Sequence, residues 1–180
     1  MKAFQSIGYL TVIAAMGSMI LVSCRSEKEE LTDRISQGEA QLFSDSLGKL
    51  NQETANNVLR DYMEYADTYK DDTLSATYLF KAGDLANGLN RPVEAISIYD
   101  RLQNDYPDHK RAATALFMQA FIYETVMQNR EMAKEKYKLF LVRYPDHRLA
   151  GSAKASVDQL DANLSDEDLI RMFEEQQKRK

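Results

Sequence analysis

The tetrapeptide YPDH occurs twice, at Tyr106 to His109 and at Tyr144 to His147, and these stretches hold both histidines and two of the three prolines of the chain. Imidazole beside carboxylate is the raw material of a zinc site or of acid–base catalysis. Zinc needs three or four ligands, however; no third histidine exists, and the single cysteine, Cys24, lies far upstream. The same letters also work as chain punctuation. Proline biases the tyrosine before it out of the helical region, and an aspartate just after it can accept hydrogen bonds from the first amides of a following helix. We therefore expect Asp108 and Asp146 to be helix caps, with His109 and His147 in the first turn beyond them. No GxSxG, HExxH or Walker-type glycine loop is present. The sequence predicts no metal, no cofactor and no enzymatic activity.

The elements that position these turns follow from an internal repeat. A shift of 38 residues aligns Ala82 with Ala120, Ala95 with Ala133, Tyr99 with Tyr137 and YPDH with YPDH. A fainter copy lies upstream at a shift of 37, where Tyr62 matches Tyr99, Tyr69 matches Tyr106, and YKDD replaces YPDH. Each unit reads as two helices. Leu74, Tyr78, Leu79, Ala82, Leu85, Ala86 and Leu89 follow three-and-four spacing, GLNRP breaks the pattern, and Pro92 suits the first turn of the next helix. Ala95, Ile96, Tyr99, Leu102 and Tyr106 then form a second stripe. The following unit runs from Ala115 to Met127, turns at Gln128 to Arg130, and continues through Met132, Ala133, Tyr137, Phe140, Leu141 and Tyr144. No stretch alternates with the period of a strand. The fold class expected is all-α: an α-solenoid of about three stacked antiparallel helix pairs, the first degenerate, closed by a C-terminal capping helix over 163–180. In that helix Ser165 and Asp168 form a capping box, and Leu169, Met172 and Phe173 make a narrow apolar stripe.

The Ala-x3-Tyr-x7-Pro spacing (Ala95, Tyr99, Pro107; Ala133, Tyr137, Pro145), with Gly83 twelve residues before Ala95, resembles the tetratricopeptide repeat. The ending Tyr137, Phe140, Leu141, Tyr144, Pro145 is similar to the periplasmic repeats of BamD-like lipoproteins and of the Tol–Pal-associated coordinator protein. The resemblance implies a scaffold whose concave face is lined by the first helix of each pair. With Gly83 and Phe121 as register marks, that face comprises Thr77, Phe80, Asp84 and Asn87, then Met118, Ile122 and Thr125. Phe80, Met118 and Ile122 are equally well read as inter-repeat core. Phe121 falls at the small-residue position of the second repeat, so that helix pair is expected to open slightly or to shift.

At the N-terminus Lys2 precedes an uncharged stretch from Ala3 to Ser23, the pattern of a secretory signal peptide. Its end, Leu21, Val22, Ser23, Cys24, resembles the lipobox of bacterial lipoproteins. That resemblance implies cleavage before Cys24 and covalent lipid on its sulfur and new amine. An uncleaved transmembrane anchor is the alternative, weakened by Gly8, Thr11, Gly17, Ser18 and Ser23 within the stretch. The expected layout is a signal peptide at 1–23, a lipidated Cys24 with a flexible tether to 36, a helical domain over 37–162 and the helix at 163–180. Beyond the signal the chain carries 22 basic and 28 acidic residues, which excludes a nucleic-acid partner. Arg25, where an Asp would retain a lipoprotein at the inner membrane, favours the periplasmic face of the outer membrane, with surface exposure as the other placement. Expected partners are the membrane, through the lipid, and other envelope proteins. A self-associating structural module is the competing reading. A SusD-type nutrient binder is disfavoured by the absence of tryptophan and by short loops.

Overall fold

A computed structural model describes residues 26–42 and 50–162, together with 170, 171, 174, 177 and 178. Among these residues there are seven helices and no strand: α1 Glu27–Leu42, α2 Gln52–Thr68, α3 Thr73–Gly88, α4 Pro92–Asp105, α5 Ala112–Thr125, α6 Arg130–Arg143 and α7 Ala150–Asp161. Each packs on its chain neighbours, the arrangement of a solenoid in which no helix pair buries its apolar face alone. The all-α expectation holds. Ile170, Arg171, Glu174, Gln177 and Lys178 are helical, whereas the Ser165–Asp168 capping box and Leu169, Met172 and Phe173 lie outside the described residues, as do the signal stretch and Cys24.

The expected flexible tether is corrected. Helix α1 begins at Glu27, and Leu31, Ile35 and Leu42 are buried against the same core that holds Tyr62, Leu79 and Tyr99. Leu31, Ile35, Gly38 and Leu42 lie three or four residues apart, so one stripe of the helix faces inward. Helix α1 is thus the first helix of the first pair, with α2 as the second.

The first two pairs share one kind of contact. The first helix presents a small residue, and the second lays an apolar or aromatic side chain over it. A Cβ placed on Gly38 would stand 2.4 Å from Val58 Cγ2, and one on Gly83 would stand 2.4 to 2.8 Å from three ring atoms of Tyr99. The third pair corrects the Phe121 expectation. The turn within the second pair spans 89–91, and that within the third spans 126–129. This extra residue means that first helices align at a shift of 37 and second helices at 38. Ala120, fully buried, therefore occupies the small position, and Phe121 is turned outward at 41% exposure. The pair does not open. Asn90 and Gln128 adopt positive φ, 59° and 53°, just before the second helices, the left-handed turn that reverses the chain.

The YPDH turns also differ from the expected aspartate caps. Asp72 caps α3, accepting from the Leu74 amide at 2.8 Å. In the later turns neither Asp108 nor Asp146 takes that part: the N-cap positions are Arg111 and Leu149, without a side-chain cap bond, and the residues aligned with Asp72 are His109 and His147. His109 Nδ1 accepts from the Arg111 amide at 3.3 Å and His147 Nδ1 from the Leu149 amide at 3.2 Å. Acceptance requires neutral imidazole, and burial, aided by Lys110 and Arg111, holds the His109 pKa below its usual value. Gln119 supplies a further lock: fully buried, it donates to Ile96 O at 2.9 Å and Asp100 Oδ1 at 2.6 Å while accepting from Gln103 at 3.2 Å. Its amide is satisfied without water, which is the condition for burying it.

Two glycines test the close-packing account. In thermal unfolding Gly83→Ala should lose about 1–3 kcal/mol, because the buried Tyr99 ring has nowhere to move. Gly151→Ala, with nothing within 4 Å of its Cβ, should be neutral or gain up to about 1 kcal/mol from helix propensity.

Candidate binding cleft

The second-helix tyrosines carry the pairs further. Tyr62, Tyr99 and Tyr137 are 3%, 0% and 1% exposed, too deep for their hydroxyls to reach water. Each donates to a carboxylate of its own first helix: Tyr62 to Glu39 Oε1 at 2.7 Å, Tyr99 to Asp84 Oδ1 at 2.5 Å and Tyr137 to Glu124 Oε2 at 2.7 Å. Glu39 and Asp84 each directly follow the glycine of their helix. In α5 that place is Phe121, and the acid has moved one helical turn on, to Glu124. Burial, and then the hydrogen-bonded carboxylate, push all three tyrosine pKa values far above the ordinary phenol range.

Two of these carboxylates border a cleft of about 610 Å³ between α1 and α3. Its apolar lining is Leu42, Leu50, Tyr62 and Leu85, and its polar residues are Glu39, Lys81 and Asp84. Lys81 Nζ donates to Glu39 Oε1 at 2.7 Å and lies 5.9 and 5.8 Å from the Tyr62 and Tyr78 ring centroids, so one cation neutralises one acid. Asp84 is left without a cation in the cleft. Its carboxyl pKa is raised by desolvation, an effect that the Tyr99 bond and the Arg111 charge oppose without cancelling. The cleft is apolar at its base and mildly acidic at its rim, a combination suited to an apolar side chain beside a basic one.

The seven residues expected on the concave face divide. Asp84 lines the cleft. Phe80, at 6% exposure, and Ile122, at 0%, are core; Phe80 packs on Tyr99 and carries the Arg111 guanidinium 4.6 Å above its ring. For these two the inter-repeat-core alternative describes the packing. Met118 packs partly buried against the same core, and Thr77 and Asn87 are half-buried outside the cleft. Thr125 is exposed, with its hydroxyl returned to Phe121 O at 2.8 Å. Lys81 and Leu85, one turn apart on α3, and Glu39, Leu42, Leu50 and Tyr62 were missed. The signal for them was present: Gly38-Glu39 repeats Gly83-Asp84, and a stripe precedes it. Among the described residues no cluster of three or more His, Cys, Asp or Glu could hold a metal ion, and no helix is long and apolar enough to cross a membrane.

The tetratricopeptide-repeat family model matches residues 77–109 and 114–147. Two tetratricopeptide repeats are therefore present. Their first residues are 37 apart and their last 38, which agrees with the extra residue in the α5–α6 turn. The α1–α2 pair extends the same architecture upstream, and α7 covers the exposed end of the second repeat. No curated protein matches the chain. Tetratricopeptide repeats build protein–protein interaction modules, generally non-catalytic scaffolds, and the cleft lies on their first-helix face.

The raised pKa of Asp84 has a signed consequence. The folded state holds this proton more tightly than the unfolded chain, so stability falls as pH rises from about 4 through the folded pKa. Asp84→Asn can still accept from Tyr99 without ionising. Chemical denaturation across acid to neutral pH should show the variant gaining on the parent as pH rises; a constant difference would remove the desolvation argument.

Proposed function

We propose that the protein is a membrane-anchored scaffold lipoprotein, lipidated at Cys24, that binds a segment of another cell-envelope protein in the α1–α3 cleft, on the periplasmic face of the outer membrane. The observation that carries the binding role is the cleft itself: Leu42, Leu50, Tyr62 and Leu85 beneath Glu39 and Asp84. An apolar floor with a few placed charges is what a groove for an amphipathic segment requires. The lipid anchor is supported by the lipobox-like LVSC and by a single cysteine that has no partner for an internal disulfide. Two or three acyl chains hold a protein stably at a bilayer surface. Service in outer-membrane protein assembly or envelope maintenance is supported by the likeness of the Tyr137–Pro145 ending to repeats of that setting.

Self-association is the second reading, and a separate patch favours it. Phe121, Val126 and Met127 are 41%, 42% and 38% exposed at the end of α5, large apolar surface for one short segment.

A photo-crosslinking residue at Leu85 in the cleft, compared with one at the exposed Lys138, separates the readings. The scaffold reading expects Leu85 adducts with one or two envelope proteins, mapped to an apolar residue next to Lys or Arg, and lost with Glu39→Lys/Asp84→Lys. Adducts only with the protein itself, or the same adducts from Lys138, would contradict it.

A further inference from the structure

Helix α1 leaves a protein anchored at Cys24 almost no tether. Helix α1 starts at Glu27, so only Arg25 and Ser26 separate it from the lipidated residue, and three residues of extended chain reach at most about 11 Å. A headgroup layer is itself roughly 5–8 Å thick. The first turn of α1 must then lie in or against the headgroups. That turn is fastened to the rest of the solenoid. Lys28 pairs with Asp72, the cap of α3, and its ammonium lies 5.9 and 5.5 Å from the Tyr65 and Tyr69 ring centroids, while Tyr65 Oη donates to Asp72 at 3.1 Å.

The fastening continues along one edge. Tyr106, at the start of the next turn, donates through Oη to Lys70 O at 2.7 Å. The α2–α3, α4–α5 and α6–α7 turns all lie at the end of the pairs where first helices begin, the end at which α1 also begins. Along this edge exposed Lys70, Lys110, Arg111 and Arg148 alternate with Asp71, Asp108 and Asp146. With exposed Glu27, Glu29 and Glu30 in the first turn of α1 and Asp105 before the second turn, the edge as a whole is mildly acidic, so the short link to the lipid, and not charge, is what holds it at the headgroups.

We propose that this turn edge, from Lys70 to Arg148, lies against the lipid headgroups, so that the opposite edge, with the α3–α4 and α5–α6 turns, points away from the membrane. The proposal rests on the lipid-anchor reading. It sets the solenoid lengthwise on the bilayer and leaves both the cleft and the Phe121 patch open to the compartment.

The test uses the full mature lipoprotein, with its mass measured, in vesicles of phosphatidylethanolamine and phosphatidylglycerol that carry a headgroup nitroxide. With Cys24 occupied by lipid, single substitutions Asp71→Cys, Asp108→Cys and Asp146→Cys, and on the other edge Val93→Cys and Met127→Cys, each take one fluorophore. The expected result is several-fold stronger quenching at 71, 108 and 146 than at 93 and 127. Equal quenching of both edges overturns the orientation alone, as does a fall from 71 to the level of 127 by 146, the mark of a solenoid standing off the surface. A mature chain whose mass shows no lipid on Cys24 overturns the anchor and the orientation together.

Discussion

A buried tyrosine that can reach neither water nor a backbone carbonyl needs an acceptor, and for Tyr62, Tyr99 and Tyr137 that acceptor is a carboxylate on the preceding first helix. A hydrogen bond to a charged group is worth roughly 1.5–3 kcal/mol, and an orphaned partner costs as much or more. The bond also fixes geometry. In the first two pairs it goes with an approach so close that Gly38 and Gly83 have no room for a larger side chain. Three such clamps set the spacing and rotation of three pairs, and cross-links such as Arg101 to Asp67 at 2.7 Å and Lys136 to Asp100 at 3.6 Å join successive second helices. Once the pairs are fixed, the surface between neighbouring first helices follows from them.

The clamps and the cleft share residues, and this couples structure to function. Glu39 holds Tyr62 and receives Lys81 from the next pair; Asp84 holds Tyr99 and faces the cleft. The acids that close the helix pairs are thus also the acids that line the cleft. In the third pair the acid sits at Glu124, one turn on, and Phe121 takes its former place. The first-helix face thus changes from charged at Glu39 and Asp84 to apolar at Phe121.

How much of this was legible in the sequence depended on range. Helix pairs, Pro92 at the start of α4 and the repeat period could be read locally, because proline, glycine and apolar spacing act within a few residues. Helix α1 could not be read from its acidic, polar beginning, Glu27 to Glu30. Only the wider stripe Leu31, Ile35, Gly38 and Leu42 marks it as a packing helix. The concave face failed for a related reason: a single shift of 38 across both helices passed over the extra residue in the α5–α6 turn and rotated the α5 assignment by one position. Asp84 survived because its register came from Gly83 itself. In the YPDH turns the expected aspartate caps do not form; the histidines accept from the amides of Arg111 and Leu149 instead, since three polar residues in one turn compete and only the folded path decides.

The account stands on α1 being an integral helix of the solenoid, as both the cleft and the placement at the membrane require it. Amide hydrogen exchange on the mature chain tests this most directly. If Glu39 clamps Tyr62 and Leu31 and Ile35 are core, amides from Leu31 to Leu42 should be protected to a degree comparable with α2. Exchange there at the rate of an unstructured peptide, beside a protected α2, would return the segment to a tether and dissolve the cleft.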